Sequence, residues 1–115
     1  SANVAVGDFV TVGGNLGEVS EILTTKYGLT SYRIKYLAER PKPGVPEDWF
    51  TAIQVRKVYS RSDYLSGLDS MVQRGIIPQE LAQRMRDLPE SEKTEVLRAS
   101  LLDLWKKGLR GWVGG

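Results

Sequence analysis

The chain has 115 residues, 41% of them hydrophobic and 26% charged, with a formal net charge of +2. That is the balance of an ordinary globular protein, long enough for one domain or for two very small ones that share an interface. It contains neither cysteine nor histidine, which excludes disulfides, thiol nucleophiles, Cys/His zinc sites and Ser-His-Asp triads.

Short strands and turns fill the first half. Gly7-Asp8 is a turn pair, and Phe9-Val10-Thr11-Val12 follows it as a strand. Gly13-Gly14-Asn15 breaks that strand, and Gly17 leads into a second over Glu18 to Leu23. Thr24 to Ser31 reads as a polar turn holding Tyr27 and Gly28. Tyr32-Arg33-Ile34-Lys35-Tyr36-Leu37 alternates large and charged residues, the period of a half-buried strand. Tyr32, Ile34 and Tyr36 then face inward, with Arg33 and Lys35 in water. Glu39 to Glu47 holds Pro41, Pro43, Gly44 and Pro46 and cannot continue a sheet or helix. Asp48 to Thr51 re-enters as a strand, and Ile53 to Val58 closes the set after a tight turn at Thr51-Ala52.

The pattern changes near Ser60. Ser62 or Asp63 can cap a helix through Leu65, Leu68, Met71 and Val72, which Gly75 ends. Pro78 takes the first position of a second helix, with Ile77, Leu81, Met85 and Leu88 on one face. Pro89 opens a third and longer helix, acidic at its start. Its apolar stripe is Val96, Leu97, Leu101, Leu104 and Trp105, and Gly108 stops it. The expected fold class is α+β: a five-stranded antiparallel barrel over residues 1–59, then a three-helix region over 60–115 that packs on the barrel or on a partner.

The sequence order Gly7-Asp8-x-Val10-x-Val12, Gly17-x-Val19-x-x-Ile22, Tyr32-x-Ile34-x-Tyr36, Trp49-Phe50 and Val55-x-x-Val58 resembles an SH3-like small β-barrel of the KOW or Tudor-like kind. The resemblance spans the first half of the chain and rests on short motifs. It implies a Gly-Asp pair that turns the chain into the first strand and a Gly-x-Val step that bends it into the second. It also implies binding of peptides, methylated side chains, nucleic acid or neighbouring subunits, rather than catalysis. Fold alone does not choose among these. The second half shows no such resemblance.

Three constellations are candidate contact sites. The first is aromatic. Tyr32 and Tyr36 lie in phase with Ile34 and belong to the core, as does one of Trp49 and Phe50. Tyr27 and Trp49 are left for a partner, together with Phe9, which is out of phase with Val10 and Val12 and faces the helices, solvent or a neighbour. The second is the proline loop, where Pro41, Lys42 and Pro43 form a stiff basic arm or merely a long hairpin connection. The third is the C-terminal segment, where Lys106, Lys107 and Arg110 alternate with Trp105 and Trp112. Trp105 reads as core and Trp112 as a contact within or between chains.

For nucleic acid the cations on offer are Arg33, Lys35, Arg56, Lys57, Lys106, Lys107 and Arg110, but each half of the chain carries only about +1. A helix-turn-helix reading would present Gln79, Gln83, Arg84 and Arg86, and a plain helical hairpin explains the same pattern. No catalytic residue, metal ligand or cofactor site is expected. Gly13-Gly14-Asn15-Leu16-Gly17 joins two strands and precedes no helix N-terminus that would favour phosphate.

The sequence therefore favours a non-catalytic module making protein–protein contacts or self-associating, with a nucleic-acid accessory role as the alternative. No apolar run approaches the ~20 residues of a membrane span, and no signal-peptide pattern opens the chain. An intracellular, cytoplasmic protein or a fragment of a longer one is expected, and a component of a larger particle such as a virion is also compatible.

Overall fold

The structure, a computed structural model, describes residues 3–37, 47–61, 64–73, 75 and 77–108. Five strands come first: β1 (Phe9–Val12), β2 (Asn15–Thr24), β3 (Thr30–Tyr36), β4 (Glu47–Thr51) and β5 (Val55–Tyr59). A 3-10 turn, Ala52–Gln54, joins the last two. Three helices follow: α1 (Tyr64–Gln73), α2 (Gln79–Asp87) and α3 (Glu90–Lys106). The fold is α+β, an N-terminal five-stranded antiparallel sheet in the order β4-β3-β2-β1-β5, then three helices. Strands and helices form two compact units that divide at Ser62 and Asp63.

The strand unit follows from side-chain period. Val10, Val12, Val19, Tyr32, Ile34 and Val55 bury one face of the sheet, with Val4, Ile22, Phe50 and Ala52 packed against them. Tyr32 and Ile34 are buried as their alternation with Arg33 and Lys35 requires. Phe9 pairs with Tyr59 and Glu18, so it lies on the opposite face from Val10. It is nonetheless fully buried, its ring 6.4 Å from that of Tyr59.

Glycine is required at two places in the strand unit, the turn between β1 and β2 and a position within β2. Gly13 and Gly14 take φ of 58° and 83° and make a two-residue hairpin turn, so Val12 pairs directly with Asn15. The second strand therefore starts at Asn15, three residues earlier than the sequence reading, because these residues continue the ladder rather than break it. Gly17 sits within β2, where a Cβ would lie 2.5 Å from Ile34 Cγ2 and 3.0 Å from the Lys35 carbonyl oxygen. The approach of β3 leaves no room there for a side chain.

Asp8 is the one buried charged residue among the described positions, at 2% exposure. Its Oδ2 accepts the Ala5 N–H at 2.9 Å, and its Oδ1 accepts the Arg61 N–H at 2.9 Å. Its own N–H donates to the Ala5 carbonyl, and its carbonyl accepts the Val19 N–H. Lys57 Nζ stands 4.0 Å from Oδ2. The side chain thus joins the turn before β1 to the chain just past β5, while the backbone of the same residue bonds the middle of β2.

β5 begins at Val55, two residues later than the sequence reading. Ile53 belongs to the 3-10 turn and is 90% exposed, because Thr51 and Gln54 bond to each other across that turn.

In the helical unit, α1 contacts α2 and α2 contacts α3. Leu68, Met71, Ile77, Ala82, Met85, Leu97, Leu101, Leu104 and Trp105 are buried, while Leu81, Leu88 and Val96 are half-buried. Pro78 is the N-cap of α2 rather than its first helical residue, since its ψ is 152° and its carbonyl accepts the Ala82 N–H. Pro89 caps α3 in the same way, with Glu90 and Glu92 in the first turn where the helix dipole favours them. Gly75 and Gly108, at φ of 70° and 79°, end α1 and α3. The expected capping residues of α1, Ser62 and Asp63, lie outside the described residues.

Replacing Asp8 by Ala leaves the Ala5 and Arg61 amides without their acceptor and is expected to cost about 1–3 kcal/mol. Asp8→Asn keeps one acceptor oxygen and costs less. Gly17→Ala should destabilise by about 1–3 kcal/mol through overpacking against Ile34. Urea unfolding midpoints check all three.

Candidate functional site

Sheet parity assigns each strand residue to one of two faces. Leu23, Ser31 and Thr51 are in register across β2, β3 and β4, and so are Glu21, Arg33 and Trp49. Both rows stand on the face opposite the buried cluster, because in-register and alternate residues share a face. A register shift between Val19 and Glu21 turns Ile22 inward and Leu23 outward.

The β2–β3 hairpin tip is built around Thr25. Its N–H donates to the Leu29 carbonyl at 2.8 Å, and its carbonyl accepts the Gly28 N–H at 3.0 Å. Its hydroxyl oxygen accepts the N–H groups of Tyr27 at 3.3 Å and Leu29 at 3.2 Å. Gly28 takes φ of 81° to complete the turn. Just below, the hydroxyls of Thr24 and Thr30 are 3.2 Å apart. This bonding fixes the loop backbone while leaving Tyr27 79% and Leu29 68% exposed. Lys26 Nζ stands 5.1 Å from the Tyr27 ring centroid, a cation–π distance.

Leu23 and Trp49 are exposed on the outward face beside this tip, and Ile53 is exposed in the 3-10 turn two residues beyond Thr51. Five large apolar side chains are therefore presented at one end of the sheet: Leu23, Tyr27, Leu29, Trp49 and Ile53. Exposed apolar groups gathered on one region mark contact surfaces more often than scattered ones do.

Arg33, Lys35 and Lys57 of the strand unit stand beside carboxylates. Arg33 Nε lies 2.9 Å from Glu47 Oε2, and its Nη1 lies 3.7 Å from Glu21. Glu47 is also held by Ser20, whose hydroxyl oxygen is 3.0 Å away. Lys35 projects outward between Glu18 and Glu47, its cross-strand neighbours. Lys57 faces Asp8, while Arg56 is exposed opposite Thr11. On the helices, Lys107 pairs with Asp103 at 2.9 Å and Lys106 is exposed. Arg86 of α2 pairs with Asp69 of α1, and Gln83 donates to Asp87 at 3.0 Å. Two of the four residues offered for a major groove, Gln83 and Arg86, are thus bonded within the helical unit.

Of the residues singled out from sequence, the structure gathers Tyr27 and Trp49 at one end of the sheet and buries Phe9. Pro41, Lys42, Pro43, Arg110 and Trp112 lie outside the described residues. Leu23, Leu29 and Ile53 were missed. The register shift that turns Leu23 outward has no sequence signature, Leu29 sits in a turn that reads as polar, and Ile53 completes an apparent strand.

Among the described residues no group of three or more acidic side chains is placed to hold a metal ion, and no helix is long and apolar enough to cross a membrane. A search of protein-family models and of curated proteins finds no match for this chain.

Tyr36, in edge contact with Phe50, has its phenol pushed above the usual value of 10.0, first by burial and second by the nearby Asp48 carboxylate. Burial favours the neutral phenol, so its contribution to stability is complete below pH 10 and is lost as pH rises through the raised value. The Tyr36→Phe variant is expected to lose less stability above pH 10, measured by urea unfolding across that range.

Proposed function

We propose that this chain is a non-catalytic binding and assembly module, with an SH3-like barrel in its strand unit, that makes protein–protein contacts through the apolar hairpin end. One observation carries the reading: five large apolar side chains are exposed around a loop whose backbone is held by four hydrogen bonds to Thr25. A surface already held in shape loses little conformational freedom on binding. The Gly7-Asp8 turn into β1, the close passage at Gly17 and the meander of short antiparallel strands support the SH3-like assignment. Such a surface suits a structural component of a larger particle.

The nucleic-acid alternative has less support. Phosphate binding needs cations free to release counterions, and Arg33, Lys57 and Lys107 each face a carboxylate.

Light scattering over a hundredfold concentration range, at low and high salt, tests the reading. The expected result is a species heavier than the 12.8 kDa chain that survives high salt. Leu29→Ser with Ile53→Ser should return it to the monomer and leave the unfolding free energy within about 0.5 kcal/mol of the parent, as for other exposed substitutions. A chain that stays monomeric contradicts self-assembly through this surface. A salt-sensitive complex with a mixed-sequence oligonucleotide contradicts the reading as a whole.

A further inference from the structure

Among the described residues, β4 is the outermost strand on one side of the sheet and pairs only with β3. Such an edge normally offers a row of unpaired N–H and C=O groups to any approaching strand. In an antiparallel pair, alternate residues point their backbone groups toward the neighbour, and the residues between point theirs away. Trp49 and Thr51, two residues apart, send their N–H groups to side chains instead of the ladder. The Trp49 N–H donates to Asp48 Oδ1 at 2.8 Å, and the Thr51 N–H donates to Gln54 Oε1 at 3.0 Å. The Thr51 hydroxyl donates to the same Gln54 oxygen at 3.2 Å.

Two of the outward-facing donors that an added strand would use are therefore already taken. At the start of the strand, Glu47 is held by Arg33 and Ser20. The turn that supplies the Gln54 cap also displays Ile53.

We propose that Asp48 and Gln54 are edge caps that close β4 to strand addition, and that they prevent a second copy of this chain from extending the sheet by β4–β4 pairing. The arrangement differs from charge repulsion at an edge. It works by occupying the backbone donors, so any side chain that keeps an acceptor at position 48 or 54 preserves it.

The test is made in the Leu29→Ser, Ile53→Ser background, so that the apolar surface of the proposed function contributes nothing and the two readings fail separately. Adding Asp48→Ala and Gln54→Ala is expected to strengthen self-association about tenfold or more, since two competing hydrogen bonds are removed. Light scattering reads the mass. Amide exchange should show Trp49 and Thr51 exchanging faster in the dilute variant and slowing again on association. Asp48→Asn, which removes the charge and keeps the acceptor, should stay at the parent's mass.

A cooperatively folded double variant whose mass does not change over a hundredfold concentration range overturns the proposal. Association of Asp48→Asn equal to that of the double variant does so too. If the double variant does not fold, amide exchange in the parent protein decides. Slowed exchange at Trp49 and Thr51 supports the caps, and exchange at the rate of an unfolded chain overturns them.

Discussion

Asp8 connects three stretches of chain: its carboxylate holds the turn at Ala5 and the exit from β5 at Arg61, and its backbone carbonyl holds the middle of β2 at Val19. A buried carboxylate is tolerable only when its oxygens are satisfied, and here each accepts a backbone N–H. That requirement sets where β1 begins and how β5 leaves the sheet. β1 in turn sets the register of β2, and β2 that of β3 and β4. The exposed hairpin end is at the far side of this chain of dependence.

Register is what turns an ordinary sequence into a surface. A shift of one residue exchanges the two faces of a strand. The irregularity at Ser20 does this within β2: before it Val19 faces the core, and after it Ile22 does. Leu23 is thereby placed outward, in the row next to Trp49. Without the shift, Leu23 would continue the inward phase of Val19, and the hairpin end would present fewer apolar groups. The same shift brings Ser20 to Glu47, which ties β2 to the start of β4 across β3.

Much of this was legible in the residues. The alternation of Tyr32, Ile34 and Tyr36 with Arg33 and Lys35 fixes one strand and its buried face without further help. The helices announce themselves through Pro78, Pro89, Gly75 and Gly108, and the apolar stripe of α3 gives its buried side. Other features depend on pairing and have no local signature. Gly13-Gly14 serves equally as a breaker or as a two-residue hairpin turn, and only the Val12–Asn15 pair decides. Ile53 looks like the first residue of a strand, yet the bond between Thr51 and Gln54 holds it in a 3-10 turn and exposes it. Phe9 is out of phase with the core as its position demands, and it is buried beside Tyr59. The candidate contact surface was half visible: Tyr27 and Trp49 could be picked out by type, while Leu23, Leu29 and Ile53 needed the register and the turn.

Which residues change environment when the chain makes its contacts is the most direct question to put to this account. Amide chemical shifts followed by NMR as protein concentration rises would answer it residue by residue. The account expects changes confined to Leu23, Tyr27, Leu29, Trp49 and Ile53 and their immediate neighbours, with Tyr27 and Leu29 amides already slow to exchange in the dilute protein. Changes that fall instead on Arg56, Lys106 and Lys107, or a hairpin tip whose amides exchange as an unfolded chain does, would contradict it.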